Sequence, residues 1–236
     1  MSYKYKTGGK RRAASVKVRT GLPTLFTVAN ALFGFLSIIH TARGAYSDAA
    51  ILIFVAMLFD AMDGRVARKM GVTSDFGVEV DSLADAISFG AAPAFLVYVQ
   101  WFQQYNYLGM IVASSVVVCG ILRLARFNIT GPEPYFIGLP IPAVGAFLAM
   151  LVLSGTNIAS NQLAIWVLAL SYLMVSNVRY PNFKQRIRTK NMSLFIFGFA
   201  LLAVVVMLID PNKFLILPFL YYILAGPIVE AKKRRE

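Results

Sequence analysis

Long apolar runs alternate with short polar breaks along the chain. Stretches such as 22–40 and 193–209 are almost wholly apolar, and about 20 helical residues suffice to cross a hydrocarbon core of about 30 Å. The runs are continuous and lack a two-residue alternation, which excludes the strands of an outer-membrane barrel. The breaks predict about eight helical spans, at 22–42, 47–69, 74–102, 106–128, 140–157, 161–177, 193–210 and 213–230. The expected fold is an all-α, polytopic transmembrane helix bundle.

Composition strengthens this reading. Of 236 residues, 58% are hydrophobic and 14% charged, whereas soluble domains carry about 25% charged residues. A soluble globular fold is excluded on that ground. One Cys and one His rule out an intramolecular disulfide and a zinc site built from nitrogen and sulfur ligands. Any metal must be held by oxygen. Cys119 lies in an apolar stretch and reads as inert packing.

The formal charge of +12 is unevenly placed. Every Lys and Arg except Arg43 and Lys213 lies in the terminal tails or at, or just after, the ends of the second, fourth and sixth spans. Basic residues in short loops stay cytoplasmic, so both termini are expected on the cytoplasmic side of the cell membrane. The chain divides into a basic tail (1–21), one transmembrane domain (22–230) and a second basic tail (231–236). The first span is too long for the apolar part of a cleavable signal peptide and lacks a small-residue cleavage site. Juxtamembrane basic residues attract anionic headgroups by about 1 kcal/mol each. Membrane lipids, not nucleic acid, are the expected partners of the tails.

The acids are concentrated. Six of the 11 fall within 60–85: Asp60, Asp63, Asp75, Glu79, Asp81 and Asp85. A carboxylate within a membrane costs roughly 2.5 to 3.5 kcal/mol even on a mild scale and marks a functional position. Asp60 and Asp63 stand at i and i+3 near the end of the second span, and Gly77, Asp81 and Asp85 at i, i+4 and i+8 early in the third. Residues at such spacing share a helix face. A short break makes the two helices antiparallel neighbours, so the two Asp pairs can face each other across a cleft. That oxygen-only set suits Mg²⁺ or Mn²⁺ and not Zn²⁺. Asp75 and Glu79 read as ordinary first-turn acids favoured by the helix dipole.

The residues between these acids fit a phosphate-bearing ligand. Gly64 and Gly77 let a ligand approach the backbone, Ala67 keeps the same face open, and Arg68 offers a fork for phosphate oxygens.

Asp60, Asp63, Gly64, Ala67, Arg68, Gly77, Asp81 and Asp85, at these spacings, resemble the signature of the CDP-alcohol phosphatidyltransferases, with every specified position present. The segments 30–38, 81–93, 123–128, 138–142 and 176–184 resemble the serine-using branch of that family. The resemblance implies transfer of a phosphatidyl group from a CDP-linked diacyl or ether lipid to the hydroxyl of L-serine, with release of CMP. It implies that Asp60, Asp63, Asp81 and Asp85 hold two divalent ions, Mn²⁺ or Mg²⁺, and that Asp85 is also the catalytic base. Gly64, Ala67, Arg68 and Gly77 are then nucleotide and diphosphate contacts. Thr27 and Asn30 are either neighbours of the cytidine or hydrogen-bonding glue between helices. Arg123 and Arg126, with Asn128 nearby, either bind the serine carboxylate or anchor the helix at headgroup depth. A homodimer is the expected assembly. Two rival functions remain: a sister enzyme accepting glycerol 3-phosphate or an inositol phosphate, and a divalent-cation transporter.

Overall fold

The computed structural model describes residues 21–70, 75–130, 136–180 and Ile223. The expected seventh and eighth spans, apart from Ile223, and both basic tails, apart from Gly21, lie outside the described residues. The described chain is helical, with α1 (Gly21–Ala42), α2 (Tyr46–Met70), α3 (Asp75–Asp85), α4 (Ala92–Val97), α5 (Asn106–Thr130), α6 (Ile141–Leu153) and α7 (Ser160–Val175). The one extended feature is a two-residue antiparallel pair, β1 (Phe136–Ile137) with β2 (Arg179–Tyr180).

Helices stand where the first six apolar runs predicted them. Two stretches, Thr24–Ala42 and Asp75–Thr130, are long and apolar enough to cross a membrane. The second folds back on itself at Asn106, whose φ of 47° reverses the chain, and α5 returns alongside α4. Large apolar side chains such as Leu25, Leu32 and Phe35 on α1 and Leu108, Ile111 and Leu122 on α5 face outward. In water such faces would be a liability; in a bilayer they meet lipid.

The third run is composite. α3 passes into a π-helical turn at Ala86–Ala91, then α4, then a second π turn at Tyr98–Phe102. Pro93 at the start of α4 explains the first: it has no N–H for the preceding turn and its ring crowds that turn. The ladder widens to accommodate it, and the Ala92 N–H reaches back five residues to the Ile87 carbonyl. Such widened turns cluster at functional sites, and this one begins directly after Asp85.

α1 organises the bundle. It packs along α2, with Phe59 ring-stacked on Phe33 at 5.1 Å and tilted against Phe26 at 6.0 Å, and its other side lies on α3 and the first π turn. The close approach depends on Gly34, because a Cβ there would stand 2.6 Å from the Ser88 Cα and collide with its hydroxyl. α6 fills the centre and is buried along most of its length. α7 packs on α5.

Candidate active site

Four helices deliver the polar side chains. α2 brings Asp60 and Asp63, α3 brings Asp81 and Asp85, α1 brings Thr27 and Asn30, and α5 brings Arg123, Arg126 and Asn128. Asp60, Asp63 and Asp81 converge, with one oxygen from each lying within 4.8 Å of the others. Asp63 is buried, and Asp60 and Asp81 are half-buried.

Asp85 lies one turn beyond Asp81 on α3, 8% exposed, and is not part of that close trio. Its Oδ1 accepts a hydrogen bond of 3.2 Å from Asn30 Nδ2. Thr27 Oγ1 donates to Asp63 Oδ2 at 2.9 Å. Both donors are buried on one face of α1. Thr27 and Asn30 therefore contact the acids themselves. Ser88, which the sequence did not single out, donates from Oγ to the Asn30 carbonyl at 2.9 Å and so attaches α1 to the π turn. A serine in an apolar run gives no distinguishing signal.

The donor chemistry fits a divalent cation. Crowded carboxylates repel one another, and burial removes the water that would relieve them. Asp81 Oδ1 is buried with no hydrogen-bond partner, as is Asn30 Oδ1. A hard cation answers both the excess charge and the orphan oxygen of Asp81.

Gly64 is half-buried one residue past Asp63, and Gly77 lies one turn before Asp81 on α3. Ala67 and Arg68 occupy the last turns of α2, with their side chains outside the described residues. Asp75 and Glu79 are exposed, as first-turn acids should be.

The far end of α5 has a structural task that spacing alone did not reveal. The Arg126 guanidinium donates to the carbonyls of Val175 and Ser176 and, at 3.4 Å, to Asn177 Oδ1. It thereby caps the final carbonyls of α7. Asn128 Nδ2 donates to Ser82 Oγ at 3.0 Å, tying α5 to the helix that carries Asp81 and Asp85. Arg123 is buried at 7% exposure. The segment after α7 is held in place by Gly138, whose N–H donates to the Val178 carbonyl at 2.8 Å and whose φ of 77° suits glycine. Replacing Arg126 with Ala should lower the thermal midpoint of the detergent-solubilised protein, by the equivalent of about 2 kcal/mol for a lost charged hydrogen-bond network. Arg126→Lys should fall between the two, since a point charge restores only part of the fork.

Fold and site together define a helical bundle with a cluster of carboxylates where three of its helices meet. The family model for CDP-alcohol phosphatidyltransferase matches residues 20–176, and the chain belongs to that family. Among curated proteins, the CDP-diacylglycerol–serine O-phosphatidyltransferase of Helicobacter pylori is 39% identical over 172 residues, covering 69% of this chain and 73% of the relative. The archaetidylserine synthase of Methanothermobacter thermautotrophicus is 42% identical over 163 residues, covering 68% and 69%. The CDP-diacylglycerol–serine O-phosphatidyltransferase of Bacillus subtilis is 39% identical over 165 residues, covering 70% and 92%. The matched segment includes α1 to α7 and every acid of the site.

Proposed function

We propose that this chain transfers the phosphatidyl group of a CDP-linked diacyl or ether lipid to the hydroxyl of L-serine, releasing CMP. The observation that carries the reading is the convergence of Asp60, Asp63 and Asp81, with a buried oxygen of Asp81 left without a hydrogen-bond partner, within a chain of this family. The names of the relatives support serine as the acceptor.

Asp60, Asp63 and Asp81 would hold one or two ions of Mg²⁺ or Mn²⁺, with Asp85 able to complete the set. When bound, the cation supplies Lewis-acid neutralisation of the diphosphate and of the departing phosphate. Gly64 and Gly77 let the diphosphate lie against the backbone, Ala67 leaves room for it, and Arg68 pairs with its oxygens. The serine hydroxyl attacks the lipid-side phosphorus in line. A P–O bond to serine forms, the P–O bond to the CMP phosphate breaks with its electron pair leaving on CMP, and the hydroxyl proton passes to Asp85. The serine carboxylate is assigned to Arg123, with the α5 end held in register by Arg126 and Asn128.

The bundle sits in the cell membrane with eight spans, both termini cytoplasmic and the cleft at the cytoplasmic headgroup depth. There a water-soluble alcohol meets a lipid whose chains remain in the bilayer. Surrounding lipids and a second copy of the chain are its partners. The test is an acceptor panel: purified protein with a CDP-lipid and Mn²⁺ should release CMP with serine and incorporate labelled serine into lipid in equal amounts. Release driven by glycerol 3-phosphate or an inositol phosphate, with serine inert, would replace the acceptor assignment.

A further inference from the structure

We infer that Thr27 and Asn30 are positioning residues for the acidic cleft, acting on the carboxylates and not on the nucleotide. The inference rests on the reading of that cleft as a divalent-cation site. Three observations carry it. The two residues stand three apart on α1, share a face, and are 5% and 0% exposed. Each donates to a different carboxylate from a different helix, Thr27 to Asp63 of α2 at 2.9 Å and Asn30 to Asp85 of α3 at 3.2 Å. The seat of Asn30 is itself built: Ser88 Oγ holds the Asn30 carbonyl at 2.9 Å, and only Gly34 allows α1 so close to the π turn that carries Ser88.

A free carboxylate rotates and offers either oxygen. Thr27 occupies one oxygen of Asp63, and Asn30 occupies one oxygen of Asp85, which fixes the rotation of each group and the lone pairs it turns to a ligand. Groups that orient a metal's ligands in this way typically account for 10- to 100-fold in affinity or activity. α1 thus works as a template that sets α2 and α3 carboxylates in one geometry. It is well suited to do so because it packs against both helices.

The isosteric change Thr27→Val removes the hydroxyl and keeps the shape, and Thr27→Ser restores the donor. Asn30→Leu removes the amide at similar volume. The full chain in detergent, without lipid substrate, is titrated with Mn²⁺ by electron paramagnetic resonance, and CMP affinity is then measured at saturating Mn²⁺. Thr27→Val should weaken Mn²⁺ binding about tenfold, with Thr27→Ser within about twofold of the starting protein. Asn30→Leu should reduce kcat about 10- to 100-fold with the CDP-lipid KM within about twofold. In both variants CMP affinity at saturating Mn²⁺ should stay within about twofold. A loss of CMP affinity with unchanged Mn²⁺ binding and kcat would make them nucleotide contacts and overturn the inference, and so would variants indistinguishable from the starting protein. If Thr27→Val or Asn30→Leu fails to fold, Thr27→Cys and Asn30→Ser, which fit the same space and weaken or shorten the donor, are read by the same criteria. Failure of the unaltered protein to bind Mn²⁺ would instead remove the cation site on which the inference stands.

Discussion

Asp81→Asn should reduce CMP release by about a thousandfold or more, the largest effect expected of any single change. Asp81 has a buried oxygen with no hydrogen-bond partner, and one of its oxygens lies within 4.8 Å of oxygens of Asp60 and Asp63. The amide keeps the volume and removes the charge, so the loss is electrostatic and not steric. Cation stabilisation of a phosphoryl group amounts to several kcal/mol, and each 1.36 kcal/mol is a factor of ten in rate. The variant should also bind Mn²⁺ more weakly in the absence of substrate. It should fold as well as the starting protein or better, because relieving the repulsion among three crowded carboxylates favours the cation-free state. A thermal scan with and without Mn²⁺ checks this: the cation should raise the midpoint of the starting protein and raise that of Asp81→Asn much less.

Asp85→Asn should behave differently. Asp85 lies one turn beyond Asp81 on α3 and has one oxygen engaged by Asn30. On the proposed reading that Asp85 accepts the serine proton, its loss should lower kcat by about 10² to 10⁴, with Mn²⁺ binding largely retained and the CDP-lipid KM little changed. An Asp that binds a cation is a weaker base, so the two roles implied for Asp85 compete. The observed placement favours the base, since the close trio forms without it. Wild-type turnover by Asp85→Asn would contradict that role, and loss of Mn²⁺ binding equal to that of Asp81→Asn would make Asp85 chiefly a ligand.

The contrast between these two Asp residues of one helix marks the limit of what spacing conveys. Positions i and i+4 place Asp81 and Asp85 on one face of α3, and spacing alone therefore groups all four acids in one cleft. It does not show that α1 lies against that face and takes one of the acids for itself. The bonds from α1 cross 36 and 55 positions of chain, and their existence depends on the rotation of one apolar helix against two others. Hydropathy determines where such a helix begins and ends and leaves its rotation open.

Helix positions were legible for the same reason: the runs that must span a bilayer are long, and polar breaks separate them. The internal architecture of the third run was legible in part. A proline such as Pro93 disturbs the helical turn before it, while the form the disturbance takes, a π turn opening directly after Asp85, follows from how the freed backbone groups rebond. Arg126 shows the opposite outcome. Its place on α5 left it open between a carboxylate ligand and an anchor at headgroup depth, and the fold adds a task neither reading contained: the fork donates to the carbonyls of Val175 and Ser176 at the α7 end. An Arg reads alike in sequence whether it awaits a substrate or closes a helix end. The β1–β2 pair, two residues on each side, was likewise invisible because its partners are loops that meet only once α5, α6 and α7 have packed.

A cation transporter and this enzyme would share the acidic cleft, and they part at the product. On the reading proposed above, CMP release requires a divalent cation held in the cleft. The most direct test of that requirement is chelation: purified protein with CDP-lipid and serine is stripped with EDTA, and CMP is followed as Mn²⁺, Mg²⁺ or Zn²⁺ is returned. The account predicts that release stops on chelation, returns with Mn²⁺ or Mg²⁺, and does not return with Zn²⁺, which the all-oxygen ligand set disfavours. CMP release that persists through complete chelation would contradict it.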